Sequence, residues 1–155
     1  MKLNNNLKLN LTEIEKSKLR KHKVKIREVL ALSVNEIERL LEVITQRARE
    51  IFALAEFQSI PSIGIKFAED LIYLSYFSLN ELKEKNGPRL IEEFEVKKGY
   101  WVDPCVEDQF RLVVDFTRNR NTSNMWWNYT ADRKKYREEN GYPSNRPNAP
   151  WHELI

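Results

Sequence analysis

The stretch Phe57-Gln58-Ser59-Ile60-Pro61-Ser62-Ile63-Gly64-Ile65-Lys66-Phe67-Ala68-Glu69-Asp70-Leu71-Ile72 leaves this chain few folds to choose from. Upstream of it, Ala48, Ile51, Phe52 and Ala55 fall at i, i+3, i+4 and i+7, and downstream Phe67, Ala68, Leu71 and Ile72 repeat the spacing. Each set puts one apolar stripe on a helix. Between them stand Pro61 and Gly64. Proline cannot continue the first helix, because its ring collides with the preceding turn. Glycine can take a positive φ or admit a close backbone approach. The pattern predicts helix, tight turn, helix, with Ile60, Ile63, Ala68 and Leu71 buried where the two helices meet.

The rest of the chain points the same way, to an all-α protein. Only 4 glycines in 155 residues argue against a turn-rich β fold. Thr12 with Glu15, Ser33 with Glu36 and Ser78 with Glu81 have capping-box spacing, in which a hydroxyl and a carboxylate satisfy backbone N–H groups at a helix start. The first predicts a short helix into a basic block, the second a helix with Ile37, Leu40, Leu41 and Ile44 on one face, the third a short helix through Lys85. Thr45 is the expected cap of a helix through Phe57. That helix and the one before it have the outline of a DNA-reading helix-turn-helix, but residues 51–57 are apolar almost all round and read as buried. Residues 23–32 fit strand alternation and helix spacing equally and stay open. Asn86-Gly87-Pro88 predicts a helix start with Pro88 in its first position, closing at Lys97-Lys98-Gly99. Asp103-Pro104 starts a longer helix, ending near Asn119, with Val106, Phe110, Val113 and Val114 inward. A charged helix follows over Thr130–Asn140, then a tail held extended by Pro143, Pro147 and Pro150 and docked by Trp151. Length favours one core, divided as a basic arm over residues 1–27, a compact helical domain over 28–130, and a helix with tail over 131–155 packed on it. Residues 1–10 are polar and expected to fray.

A net charge of +3 hides an uneven distribution. Lys16, Lys18, Arg20, Lys21, Lys23, Lys25 and Arg27 stand together with no acid among them. Such a block suits a phosphate backbone or a solvated helix face equally. No apolar run is long enough for a membrane span and none near Met1 resembles a signal peptide, so the expected location is the cytoplasm with no membrane partner. Cys105 is the single cysteine, which excludes an internal disulfide, and His22 and His152 share no ligand spacing with it or with each other. No metal and no cofactor are expected. A helix-start position would lower the Cys105 thiol pKa, but its register with Leu112 favours a buried, structural thiol. Trp126-Trp127 could stack unpaired bases. Packing is the expectation there.

Ile60, Ile63, Gly64 and Ala68 have an order that resembles the helix-hairpin-helix motif, with Ser62 where that motif usually has glycine. Ile60-Pro61-Ser62-Ile63-Gly64, Ala68-Glu69-Asp70-Leu71, Asp103-Pro104-Cys105-Val106, Phe110-Arg111 and Trp126-Trp127 together resemble the pathogenicity-locus family of bacterial helix-hairpin-helix proteins, some of which carry a mitomycin-resistance label. The resemblance covers residues 48–127, and the tail from Asn140 to Trp151 is similar to that of longer members. It implies an all-helical hairpin fold and a nucleic-acid role, and brings no catalytic residue. The expected function is a non-enzymatic, largely sequence-independent DNA-binding module that contacts phosphates through Ser62, Gly64, Ile65 and Lys66, with charge added by Lys18, Arg20, Lys21 and Lys23. Glu56, Glu69 and Asp70 near the hairpin oppose this. The alternative is a protein-interaction or accessory protein whose hairpin is purely structural.

Overall fold

The computed structural model describes residues 7–154, and among them regular structure is helical throughout. The chain divides into two compact units, Met1–Glu81 and Leu82–Ile155.

The first unit contains α1 (Glu13–Lys21), α2 (Val34–Leu41), α3 (Thr45–Gln58) and α4 (Ile65–Tyr73), with a 3-10 turn over Ile26–Ala31 settling the ambiguous segment as helical. Local chemistry sets several boundaries. Thr12 accepts from the Glu15 amide at 3.1 Å while Glu15 accepts from the Thr12 amide at 2.8 Å, and Ser33 and Glu36 close the same reciprocal pair. Thr45 is not the cap of α3. Ile44 holds that position, and the Thr45 hydroxyl donates instead to Glu38 at 2.9 Å, a partner supplied by the fold. The core is apolar: Ile51, Phe57, Ile60, Ile63, Ala68 and Leu71 are each no more than 1% exposed. Gln58 is buried among them and brackets the backbone of Lys8, accepting from its amide at 3.3 Å and donating to its carbonyl at 2.6 Å. Of the segment 1–10 expected to fray, residues 1–6 lie outside the described residues, and residues 7–10 are pinned, with Leu9 buried and the Asn10 side chain donating to Glu69 at 2.7 Å. After α4, the Ser78 and Glu81 pair caps only the single 3-10 turn Asn80–Leu82, not a helix reaching Lys85, because Asn86 restarts the chain as a new cap.

The second unit packs α5 (Gly87–Lys98) on α6 (Cys105–Asn119), followed by a 3-10 turn at Trp126–Tyr129, α7 (Thr130–Asn140) and the tail. Asn86 accepts from the Arg89 amide at 3.2 Å, Gly87 takes the first helical position ahead of Pro88, and Gly99 ends the helix at φ +81°. Gly87 carries the tightest steric demand: a Cβ there would lie 2.8 Å from Arg111 Cγ and 2.9 Å from Arg111 Cα. Only glycine lets α5 approach α6 that closely.

Buried charge is richer in this unit than in the first, where Glu15, paired with Arg47, is the buried carboxylate among the described residues. Glu107 accepts from Arg111 at 3.0 Å and from Arg137 at 2.9 Å; Asp108 accepts from Arg133 at 2.7 Å and from the Thr130 hydroxyl at 2.8 Å. Glu95 accepts from Arg146 and from the Val102 amide at 2.8 Å. These three carboxylates are no more than 2% exposed. The Arg146 guanidinium also lies 3.6 Å over the Tyr142 ring, a cation–π contact. The tail is docked by backbone pairing, with the Trp101 amide donating to Ala149 at 2.9 Å and the Trp151 amide to Trp101 at 2.8 Å.

Candidate nucleic-acid interface

The connection between α3 and α4 is six residues long, 59–64. Ile60 and Ile63 fill the core beneath it, and the Ile63 amide donates to Ile60 at 3.1 Å, closing a tight turn. Ser62, not Gly64, takes the left-handed conformation, at φ +68°. Gly64 is extended, with φ −100° and ψ −174°, and a Cβ there would meet nothing within 4 Å. Neither expected use of that glycine is realised. What Gly64 provides is an exposed cap without a side chain, so no internal oxygen folds back over the start of α4.

An α-helix leaves its first amides without intrahelical acceptors. In α4 the first backbone bond is Ala68 to Gly64, at 3.1 Å. The Ile65 and Lys66 amides precede it with no acceptor among the described residues, and Lys66 is exposed beside them. The surrounding acids are partly occupied: Glu69 accepts from Asn10, and Glu56 accepts from the Leu79 amide at 2.5 Å. Lys8, held by its backbone to Gln58 at the hairpin end of α3, adds an exposed cation that sequence reading missed. Its signal was faint, because the residue that fixes it lies 50 positions away.

The basic arm does not join this group. Lys18 is ion-paired with Glu42, just before the start of α3, whereas residues 59–64 follow its end. A helix of 14 residues is about 21 Å long, so α3 separates the two sets by roughly its own length. Arg20, Lys21 and Lys23 are exposed without an ion-pair partner among the described residues. Lys18, by contrast, has its charge engaged, and that contact lowers the Glu42 pKa.

Cys105 is half-buried rather than buried, and its thiol pKa is raised, first by burial and then by Asp103, so the helix start does not activate it. Trp127 is 55% exposed, against the expectation of packing, while Trp126 is half-buried with its ring edge-on to it.

An all-helical chain with an uncapped helix start flanked by both lysines and acids is the class these features define. A family model for the Cdd1 pathogenicity locus matches residues 50–135. The match covers more than half of the 155 residues, and the chain belongs to that family. Neither the curated proteins nor the solved structures yield a match.

Proposed function

We propose that this protein is a non-enzymatic DNA-binding module that grips phosphates, largely irrespective of base sequence, at the start of α4. The observation that carries this reading is the pair of amides on Ile65 and Lys66 that find no acceptor among the described residues, next to the capless Gly64 and the exposed Lys66 ammonium. Oriented amides and the positive end of the helix dipole favour an anion there. Lys8 adds charge close by, and Arg20, Lys21 and Lys23 supply a second, diffuse cationic contact about one helix length away. Phosphate contacts position a protein without reading bases, so unrelated duplexes of equal length should bind alike. The exposed side chains of Ile14 and Ile44 favour the second reading, a protein partner.

Titration against duplex DNA at two salt concentrations tests the proposal. Replacing Arg20, Lys21 and Lys23 with glutamine should weaken binding to every sequence and reduce the log affinity against log salt slope by up to about 3, one for each cation removed. Lys66→Glu should weaken binding while the fold persists, since the side chain is exposed. Absence of salt-sensitive binding at low ionic strength would leave the protein-partner reading.

A further inference from the structure

We propose that Trp127 is a base-stacking site for single-stranded nucleic acid, a proposal that rests on the nucleic-acid reading above and adds to it a preference for unpaired bases. An exposed indole is a costly placement for so large an apolar side chain, and here it is built rather than loose. The Asn128 side chain accepts from the Met125 amide at 2.8 Å, and the Asn128 amide donates back to Met125 at 3.0 Å, closing the turn around Trp127. Tyr129 is buried, and its hydroxyl meets both Asp115 and Asn124. Burial and Asp115 push that phenol's pKa up to about 12, so the anchor stays protonated. The turn that carries Trp127 is thus closed on itself and, through Tyr129 and Asp115, fixed to α6. Trp126 stands edge-on at 5.5 Å and 83° and holds the ring from one side.

The chemistry around the indole selects the occupant. Residues 116–131 contain no aspartate or glutamate, and the exposed turn that ends α6 carries Arg118 and Arg120. Arg118 donates to the carbonyls of Lys83 at 3.2 Å and Lys85 at 2.8 Å, which ties that basic segment, with Glu84 as its acid, to the same end of α6. The nearest carboxylate on α6, Asp115, is taken up by Tyr129, and the next acid along the chain is Asp132. Asn, Thr and Ser fill the rest of the loop over 119–124. An apolar protein partner would want further exposed hydrophobic side chains here. An exposed indole shortly after a turn that carries Arg118 and Arg120 and no acid instead suits a strand that offers both phosphates and unstacked bases. Bases inside a duplex are already stacked and present no free face.

Anisotropy titrations with a short oligo(dT) and with a duplex of equal length separate this site from the one on α4. Trp127→Ala should weaken oligo(dT) binding about ten-fold or more, the scale of one lost stacking contact, with duplex affinity unchanged. Trp127→Phe should restore most of the loss. The ratio between parent and Trp127→Ala should persist in a Lys66→Glu background. Equal oligo(dT) affinity in parent and Trp127→Ala, or an equal loss for both substrates, overturns the proposal even if duplex binding still depends on Lys66. Duplex binding that ignores Lys66 while oligo(dT) binding still requires Trp127 defeats the α4 reading and leaves this one standing.

Discussion

The two units solve the same packing problem by different means. In Met1–Glu81 the junction of α3 and α4 is closed by aliphatic and aromatic side chains, and its buried amide, Gln58, is satisfied by backbone. In Leu82–Ile155 three buried carboxylates on α5 and α6 hold arginines of α6, α7 and the tail. Apolar closure leaves the polar groups at the start of α4 open to solvent. Buried ion pairs consume theirs: Glu95, Glu107 and Asp108 are all engaged by the protein itself. An apolar junction leaves the Ile65 and Lys66 amides at its rim without an acceptor among the described residues, while the carboxylates of the second unit spend their charge on holding α6, α7 and the tail together.

The contrast can be broken most severely at Ala68, fully buried between α3 and α4. Ala68→Glu should cost at least about 4 kcal/mol and keep the first unit from folding, because a carboxylate would be forced into an apolar junction. A melting curve like that of the parent would show the apolar junction to be misassigned.

Next comes Asp108→Ala, which strands Arg133 and the Thr130 hydroxyl. The expected loss is about 3–5 kcal/mol in urea unfolding, the usual consequence of breaking a buried pair by removing one partner. If the variant loses less than about 1 kcal/mol, the arginine clamps do not hold the second unit.

A glycine series sharpens the comparison at smaller scale. Gly87→Ala should destabilise by about 1–3 kcal/mol, since the new Cβ would meet the backbone of Arg111. Gly64→Ala, in open space at an ordinary φ, should be neutral or stabilising by less than about 1 kcal/mol. Ser62→Gly relieves the left-handed conformation but loses the contact the serine makes, and should change stability by less than about 1 kcal/mol. Thermal melts of the three variants together test the assignment of steric roles.

The smallest expected effect is acid sensitivity of the first unit. The Arg47 guanidinium, hydrogen-bonded to Glu15 at 2.8 and 2.9 Å, holds that carboxyl below its ordinary 4.5. A depressed folded-state pKa contributes stability that is fully present above the unfolded value and is lost as pH falls through the folded one. Stability should therefore decline below about pH 4.5. In Arg47→Met that part of the decline should disappear.

What the sequence made legible was local. Capping at Thr12 and Ser33, the start at Asp103, where the side chain accepts from the Cys105 amide at 2.8 Å, and the charged helix Thr130–Asn140 all follow from residues within one turn of each other. The buried face of the hairpin was equally readable, because its period spans only two helices. What escaped depended on distant partners. Glu95, Glu107 and Asp108 look like solvated helix charges until arginines 25 to 51 positions away cover them. Gly87 looks like a turn residue until Arg111 packs against it. Of the expected contact residues, the structure brings together Ser62, Gly64, Ile65 and Lys66, but sets Lys18, Arg20, Lys21 and Lys23 at the far end of α3, a separation that no spacing rule encodes. Gly64 drew attention because glycine usually marks a positive φ, and here the neighbouring serine bears it.

If the proposed function holds, the start of α4 binds phosphate through its backbone. Amide chemical shifts of the labelled protein, followed during titration with duplex DNA at low and then moderate salt, test it most directly. The Gly64, Ile65 and Lys66 amides should move first and furthest, and added salt should return them toward their free positions. DNA-dependent shifts that leave these three amides unmoved, or no shifts at low salt, would contradict it.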